Sequence, residues 1–222
     1  MRPVTVQRLG SGFHDLSVTA GDFPSATALR RLLGEGGVEA WEPFFSERSF
    51  GIVRERIAHG RAPFSLEHAE RAILSHFRLA TAESLESVAE LEGGLGRRIA
   101  EAAKRVHTLS ELIRESVTKK YTEARVRRGI LFSMLGVRGE DLRREPAYAV
   151  LLAANRTGCA FLKEQRRTSA IPVVTSHASI PDTEDAKWQE ILTEKAFSLY
   201  TLCARESLPA DAFLRASSYI EG

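Results

Sequence analysis

Apolar residues recur at helical spacing through most of the chain, most clearly near its middle. A helix is predicted over residues 95–106, because the apolar side chains of that stretch fall on one face. A second helix is predicted to begin after Thr108, which has a capping-box partner in Glu111, and a third after Thr122. The predicted buried stripe of the first of these helices consists of Ile99, Ala102, Ala103 and Val106.

Further helices are predicted on both sides of this central region. Ser25 is a suitable N-cap for a helix that ends at Gly34. Residues 50–59 are predicted to form another helix, and a further one is predicted to begin at Ser65. The longest helix predicted in the last part of the sequence covers residues 187–203. Helices therefore account for most of the predicted structure.

The predicted strands are few and short. Residues 4–6 alternate like a strand, and residues 171–175 favour an edge strand because a proline stands near their start. Residues 148–152 are consistent with either a strand or a short buried helix. A strand at residues 4–6 has nothing earlier to pair with, so we expect it to be the last strand of a sheet. The predicted fold class is mainly α, with a few short β-strands.

Composition and length limit the class of protein. The 222 residues are 43% hydrophobic and 27% charged, which is ordinary for a soluble protein with a sizeable core. Cys159 and Cys203 are far apart and no cysteine or histidine cluster has metal-ligand spacing, so neither a disulfide framework nor a metal site is predicted. No apolar run approaches the length of a membrane span. These features favour a cytoplasmic protein without a membrane partner.

The charge of the chain is unevenly distributed. Residues 97–128, hereafter the basic segment, carry ten Lys or Arg against four Glu, a local net charge of +6 in a chain whose total is +2. Such a concentration of cations favours a polyanionic partner, although a solvated basic face on a structural helix explains it equally well. The cations of the basic segment are Arg97, Arg98, Lys104, Arg105, Arg114, Lys119, Lys120, Arg125, Arg127 and Arg128.

Two predicted helix starts combine cations with hydroxyl groups. The third central helix begins among cations that the helix macrodipole disfavours by roughly a few tenths of a kcal/mol each, so their presence favours a phosphate ligand. At the earlier helix, Ser25, Thr27 and Arg30 would cluster at the N-terminal end, which also suits a phosphate, although simple capping is the commoner reason for such residues. The cations at the third central helix are Lys119, Lys120, Arg125, Arg127 and Arg128, with Tyr121 among them.

Four stretches of the sequence, taken together and in order, resemble the tRNA(Met) cytidine acetate ligase family of nucleotidyltransferase-like proteins. The resemblance covers nearly the whole chain, and its most specific part is the pattern Lys-Lys-Tyr-Thr-x-x-Arg-x-x-Arg. The four stretches are Ser25-Ala-Thr-Ala-Leu-Arg30, Glu92-Gly93 followed by Arg97-Arg-Ile99, Lys119-Lys-Tyr-Thr-Glu-Ala-Arg-Val-Arg-Arg128, and Ile171-Pro-Val-Val-Thr175.

The resemblance implies an ATP-dependent reaction, with Mg accompanying the nucleotide. Acetate is adenylated, and the acetyl group passes to N4 of the wobble cytidine of elongator tRNA(Met); DNA is not expected as a partner. The implied fold is a Rossmann-like nucleotidyltransferase domain followed by a helical domain that helps to hold the tRNA. We therefore expect residues 1–40 to be a remnant of the first domain, comprising its last strand and helix, and residues 41–222 to be the helical tRNA-binding domain. Carried over, the resemblance assigns ATP binding to Ser25, Thr27 and Arg30, and tRNA contact to Lys119, Lys120, Tyr121, Arg125 and Arg128.

The sequence departs from the family at the catalytic motif. Such enzymes carry an Asn-Pro-Phe-His-x-Gly-His type motif, whose histidines stabilise charge on the transferring phosphoryl group. None of the six histidines of this chain stands in such a motif. We therefore expect the chain to be the C-terminal portion of such an enzyme, without catalytic residues, and to be inactive in adenylation on its own. Two alternatives remain open: a non-catalytic helical RNA-binding protein, and a purely structural helical domain with a chance basic patch.

Overall fold

The structure is a computed structural model that describes residues 5–7, 10, 12, 16, 18, 23–166, 168–211 and 218–220. The chain divides into two compact units, Met1–Pro63 and Phe64–Gly222. The assignment of residues 1–40 and 41–222 to two domains of different function stays a prediction.

The first unit is helical over most of its described residues. It contains α1 (Ala26–Gly36), a 3-10 helix (Val38–Phe44) and α2 (Glu47–Ala58). Ser25 caps α1 as predicted, because its Oγ accepts a hydrogen bond from the backbone N–H of Ala28 at 3.0 Å. The start of α1 is therefore fixed by a local contact that the sequence alone indicates.

Other predictions for this unit had different outcomes. Helix α1 continues past Gly34, and the chain turns instead at Gly37, whose φ of 74° lies in a region that favours glycine. Val4 lies outside the described residues, and Thr5 and Val6 belong to no strand. No strand occurs among the residues of this unit that the structure describes, so the Rossmann-like remnant stays a prediction.

The second unit combines seven α-helices with short strands in the part of the chain that is described. Strand β1 (Ala149–Val150) pairs in parallel with β3 (Val173–Val174), and β2 (Ala153–Ala154) pairs in parallel with β4 (Tyr219–Ile220). The fold is thus mainly α with short β-strands, as predicted. The helices are α3 (Glu70–Leu79), α4 (Ala82–Glu86), α5 (Leu95–Ala103), α6 (Leu109–Ser116), α7 (Glu123–Leu135), α8 (Arg156–Gln165) and α9 (Glu184–Leu202), with 3-10 turns at Gly139–Arg143 and His177–Ser179.

The main core of the second unit forms around α5. Helix α5 ends at Ala103, before the predicted end at residue 106. All four residues of the predicted stripe are nevertheless buried, and they belong to one core cluster with apolar residues of α3, α6 and α7. The predicted capping box of α6 is also confirmed: Thr108 Oγ1 accepts from the N–H of Glu111 at 3.2 Å, and a carboxylate oxygen of Glu111 accepts from the N–H of Thr108 at 3.3 Å. The core side chains that are fully buried include Ile73, Phe77, Leu91, Leu95, Ile99, Leu112 and Val126.

Two predicted helix starts are displaced. The chain at Ser65 forms turns rather than a helix, because the N–H of Ser65 and the ring of His68 both hydrogen-bond the carbonyl oxygen of Cys203, each at 2.8 Å. Helix α9 begins before residue 187 because Thr183 caps it, accepting from the N–H of Ala186 at 3.2 Å. Within the described ranges, no helix combines the length and the apolar character that crossing a bilayer requires.

Candidate nucleic-acid interface

The start of α7 is joined to the loop of residues 90–94, which precedes α5. Arg125 donates from Nε to the carbonyl oxygen of Glu90 at 3.0 Å and from Nη2 to that of Glu92 at 3.1 Å. Lys120 Nζ donates to the carbonyl oxygen of Gly93 at 3.1 Å, and the hydroxyl of Tyr121 donates to the same oxygen. Two of the stretches that carry the family resemblance therefore contact each other.

The shape of this loop explains why it needs such partners. Its backbone turns through positive φ at Glu90 (68°), Gly93 (73°) and Gly94 (92°). In this loop the carbonyl oxygens of Glu90, Glu92 and Gly93 accept hydrogen bonds from side chains, whereas those of Leu91 and Gly94 accept from backbone N–H groups of α5. Glycine adopts positive φ without strain, whereas the same geometry at Glu90 costs about 1–2 kcal/mol. Arg125 of α7, together with Lys120 and Tyr121 just before this helix, holds the loop in place.

Tyr121 and Arg125 are therefore structural in this conformation. Tyr121 is only 8% exposed and belongs to the core. Lys120 Nζ lies 5.0 Å and Arg125 Cζ 5.5 Å from the centroid of its ring, within cation–π range. The predicted contact of Tyr121 with tRNA stays a prediction; in this conformation its ring is buried, and the guanidinium of Arg125 is bonded to two carbonyl groups.

Four further cations of the basic segment pair with carboxylates. Arg128, which was predicted to contact tRNA, pairs through Nε with Glu90 at 2.9 Å. All four arginine side chains remain at least half exposed, and exposed pairs are worth only about 0–1 kcal/mol. An RNA phosphate can therefore compete for them at a small cost. The other three pairs are Arg97–Glu101 at 3.0 Å, Arg105–Glu115 at 3.5 Å and Arg127–Glu123 at 2.8 Å.

Arg98 satisfies the C-terminal end of α6. Its Nε donates to the carbonyl oxygen of Ser116 at 3.1 Å, and its Nη2 donates to that of Glu115. The last carbonyl groups of a helix have no partner within the helix, so a basic side chain stabilises them. The charge of Arg98 thus has a structural explanation that requires no ligand.

Three cations of the basic segment differ from the rest. Lys104, Arg114 and Lys119 are exposed, and no hydrogen bond or ion pair to their side chains is found among the described residues. Arg114 contributes to lowering the pKa of Glu111, but the main cause is the hydrogen bond that this carboxylate accepts from the N–H of His107. These three side chains are the ones most available to an external anion.

Sequence reasoning selected Lys119 but missed Lys104 and Arg114 as candidates. The sequence does indicate which arginines form ion pairs within a helix. Arg97 and Arg127 each have a glutamate four residues away, which is the spacing of a helical ion pair. Of the two glutamates nearest to Arg114 in sequence, Glu115 pairs with Arg105 and Glu111 belongs to the capping box of α6. Sorting the cations by available carboxylates would therefore have separated the paired from the unpaired ones in part.

The three residues predicted to bind ATP have different environments. Ser25 is 2% exposed and its Oγ caps α1. Thr27 and Arg30 are exposed, and no ion pair of Arg30 is found in the described part of the chain. The neighbouring Arg31 pairs with Glu35 at 2.7 Å. Thr27 and Arg30 are accessible to an anion. The presence of serine at position 25 is explained by its capping role alone.

Comparison with known proteins identifies relatives along most of the chain. A family model described as HIGH Nucleotidyl Transferase matches residues 1–211. The tRNA(Met) cytidine acetate ligase of Halothermothrix orenii is 28% identical over 179 residues, which are 79% of this chain and 42% of that protein. The protein of the same name from Acetivibrio thermocellus is 26% identical over 212 residues, 90% of this chain and 51% of that protein.

Solved structures share the fold. Thermotoga maritima TmcAL without ligand superposes with a TM-score of 0.83 at 26% identity, covering 98% of this chain and 55% of that one. The same protein bound with alpha-thio ATP gives a TM-score of 0.79 at 26% identity, covering 90% and 52%. The chain thus spans about half the length of the relatives that it matches.

Proposed function

The chain belongs to the HIGH nucleotidyltransferase family, and on that premise we propose that it acts in the acetylation of the wobble cytidine of elongator tRNA(Met). In this proposal the reaction uses acetate and ATP, with Mg, and transfers the acetyl group to N4 of the base. The 222 residues supply mainly the surface that binds the tRNA, as the C-terminal part of the ligase. Support comes from the relatives named tRNA(Met) cytidine acetate ligase, which match most of this chain.

The observation that carries this proposal is the set of unpaired cations in the basic segment. Lys104, Arg114 and Lys119 are exposed, and none of them forms an ion pair within 4.0 Å among the described residues; Arg114 acts on Glu111 only through its charge. Phosphate groups of RNA bind such side chains by charge, with release of counterions. Paired arginines such as Arg97 and Arg127 would contribute less, because each must first leave its glutamate.

ATP is the proposed cofactor, and the residues of α1 fit it in part. Thr27 and Arg30 offer an exposed hydroxyl group and an exposed guanidinium near the start of α1, with no ion pair of Arg30 among the described residues, and the first turn of α1 has no acidic residue. We propose these two side chains as phosphate contacts. Ser25 would act indirectly by fixing the start of the helix. Residues 1–40 would then belong to the nucleotidyltransferase part of the enzyme.

A second candidate function is RNA binding without catalysis. One feature of the sequence favours it: no histidine of this chain belongs to a His-x-Gly-His motif. The two candidates agree on tRNA binding and differ on chemistry. Acetate-dependent release of pyrophosphate from ATP by the purified chain would exclude the non-catalytic reading; we expect none.

Titration of labelled elongator tRNA(Met) with the purified chain at several salt concentrations tests the proposal. We expect saturable binding whose affinity falls linearly with the logarithm of the salt concentration. A second tRNA of similar length, added as unlabelled competitor, measures specificity. Absence of tRNA binding at low salt, with the chain folded by circular dichroism, would contradict the proposed function.

A further inference from the structure

The exposed face of α3 carries a second group of basic side chains, separate from the unpaired cations of the basic segment. A cleft of about 460 Å³ opens between this helix and the turn that joins α5 to α6. Two of its lining residues are arginines, and Leu79 on its rim is 81% exposed. This cleft is called the α3 cleft, and the residues that line it are Arg71, Leu74, Ser75, Arg78, Leu79 and His107.

The two arginines of the α3 cleft are held differently. Arg78 donates from Nε to the carbonyl oxygen of Ala103 and from Nη2 to that of Val106, both at 2.8 Å, so its guanidinium is fixed in position. Arg71 is exposed, and no ion pair of its side chain is found among the described residues. One cation is therefore preorganised and the other is available.

None of the described residues that line the α3 cleft is a carboxylate. The acids closest to it in sequence are engaged at the start of α6: Glu70 accepts from the N–H of Leu109 at 3.1 Å, and Glu111 accepts from the N–H of His107 at 2.9 Å. Ser75 and His107 are exposed and can donate hydrogen bonds. The cleft therefore presents cations and polar donors, which suit an anion with several oxygens.

We propose that the α3 cleft binds a backbone phosphate of RNA, with the adjoining ribose against Leu79. The proposal rests on the proposed function and extends the tRNA surface to residues outside the basic segment. Its distance from Lys119 favours a polymer over a mononucleotide: His107 precedes α6 and Lys119 follows it, and a helix of eight residues is about 12 Å long. An RNA strand places successive phosphate groups along such a length, whereas CMP carries a single phosphate group.

Three substitutions test the α3 cleft by tRNA titration at several salt concentrations. Arg71→Ala should weaken binding several-fold and lower the salt slope by about one unit, because one fewer counterion is released. Ser75→Asp should weaken binding further, since it puts a negative charge in the cleft. Leu79→Lys should tighten binding, a gain that a folding defect cannot mimic. Arg138→Ala is the matched control, because Arg138 is exposed and pairs with Glu140 at 3.8 Å.

The outcomes separate the cleft from the proposed function. If the parent chain binds tRNA but Arg71→Ala, Ser75→Asp and Leu79→Lys all bind like the control, the cleft is not an RNA site and the proposed function stands. If the parent chain does not bind tRNA, both proposals fail. If CMP or inorganic phosphate binds in an Arg71-dependent way while tRNA affinity is unchanged, the cleft is a site for small anions and the RNA assignment is overturned.

Discussion

The guanidinium of Arg125 donates a hydrogen bond to the backbone carbonyl oxygen of Glu90, with 3.0 Å between Nε and O. This contact joins the first turn of α7 to the loop before α5, across 35 residues of sequence. A second bond from the same guanidinium reaches Glu92. A motif rich in cations thus has a folding role, and only some of its charges are available to a ligand.

Arg125→Ala should therefore destabilise the chain more than it affects tRNA binding. The change removes two hydrogen bonds from a charged donor, each of a kind worth about 1.5–3 kcal/mol, so we expect a loss of at least about 3 kcal/mol in the free energy of unfolding. Lys119→Ala is the control and should stay within about 0.5 kcal/mol of the parent. Urea unfolding measures both. Equal stability of Arg125→Ala and the parent would refute the folding role.

The packing of α5 against α4 predicts the effect of a small substitution. A Cβ added at Gly96 would lie 2.7 Å from Cβ of Leu85, which is 2% exposed. Gly96→Ala gains about 1 kcal/mol of helix propensity, but crowding a packed core costs about 1–3 kcal/mol, so we expect a net loss of stability. Gly139→Ala, where the new Cβ meets open space, is the control. A more stable Gly96→Ala variant would show that the two helices can separate freely.

His76 predicts a pH dependence of stability. Burial lowers the pKa of His76 from its ordinary value, and Nε2 lies 2.8 Å from the hydroxyl oxygen of Ser133. Because the folded pKa is the lower one, the unfolded chain takes up the proton first as the pH falls. Stability should therefore decrease as the pH drops below about 6.5. His76→Gln, which does not titrate, should lose less stability over this range; parallel curves of unfolding free energy against pH would argue against the assignment.

Local signals in the sequence predicted the elements around the site well. The N-caps Ser25 and Thr122 and the capping box of Thr108 depend on contacts three residues apart, so spacing alone reveals them. The apolar stripe of α5 was predicted for the same reason. Helix ends were less predictable: Gly34 stays helical because Gly37 provides the turn.

The sequence did not predict which cations stabilise the fold and which are available to a ligand. Charge counting treats Lys119 and Arg125 alike, yet one is exposed and the other holds a loop. The difference arises because the fold brings backbone carbonyl groups close to Arg125. Backbone carbonyl groups are present at every residue, so the sequence does not reveal which of them will become acceptors. The burial of Tyr121 could not be predicted for the same reason. Its hydroxyl donates to the carbonyl oxygen of Gly93, which is far away in sequence and close in space.

We propose that Lys104, Arg114 and Lys119, which form no ion pair among the described residues, bind tRNA, and that the ion-paired cations of the basic segment contribute less. Two triple variants with the same change in net charge test it by tRNA titration across salt concentrations. The first removes the unpaired cations and the second removes paired ones. They are Lys104→Ala/Arg114→Ala/Lys119→Ala and Arg97→Ala/Arg105→Ala/Arg127→Ala.

The measurement is the slope of the logarithm of the tRNA association constant against the logarithm of the salt concentration. We expect the first triple variant to lower this slope by about one unit per cation removed, and the second to lower it clearly less. Equal slopes for the two variants would mean that net charge alone governs binding. A first variant that binds like the parent would contradict the assignment of this surface to tRNA.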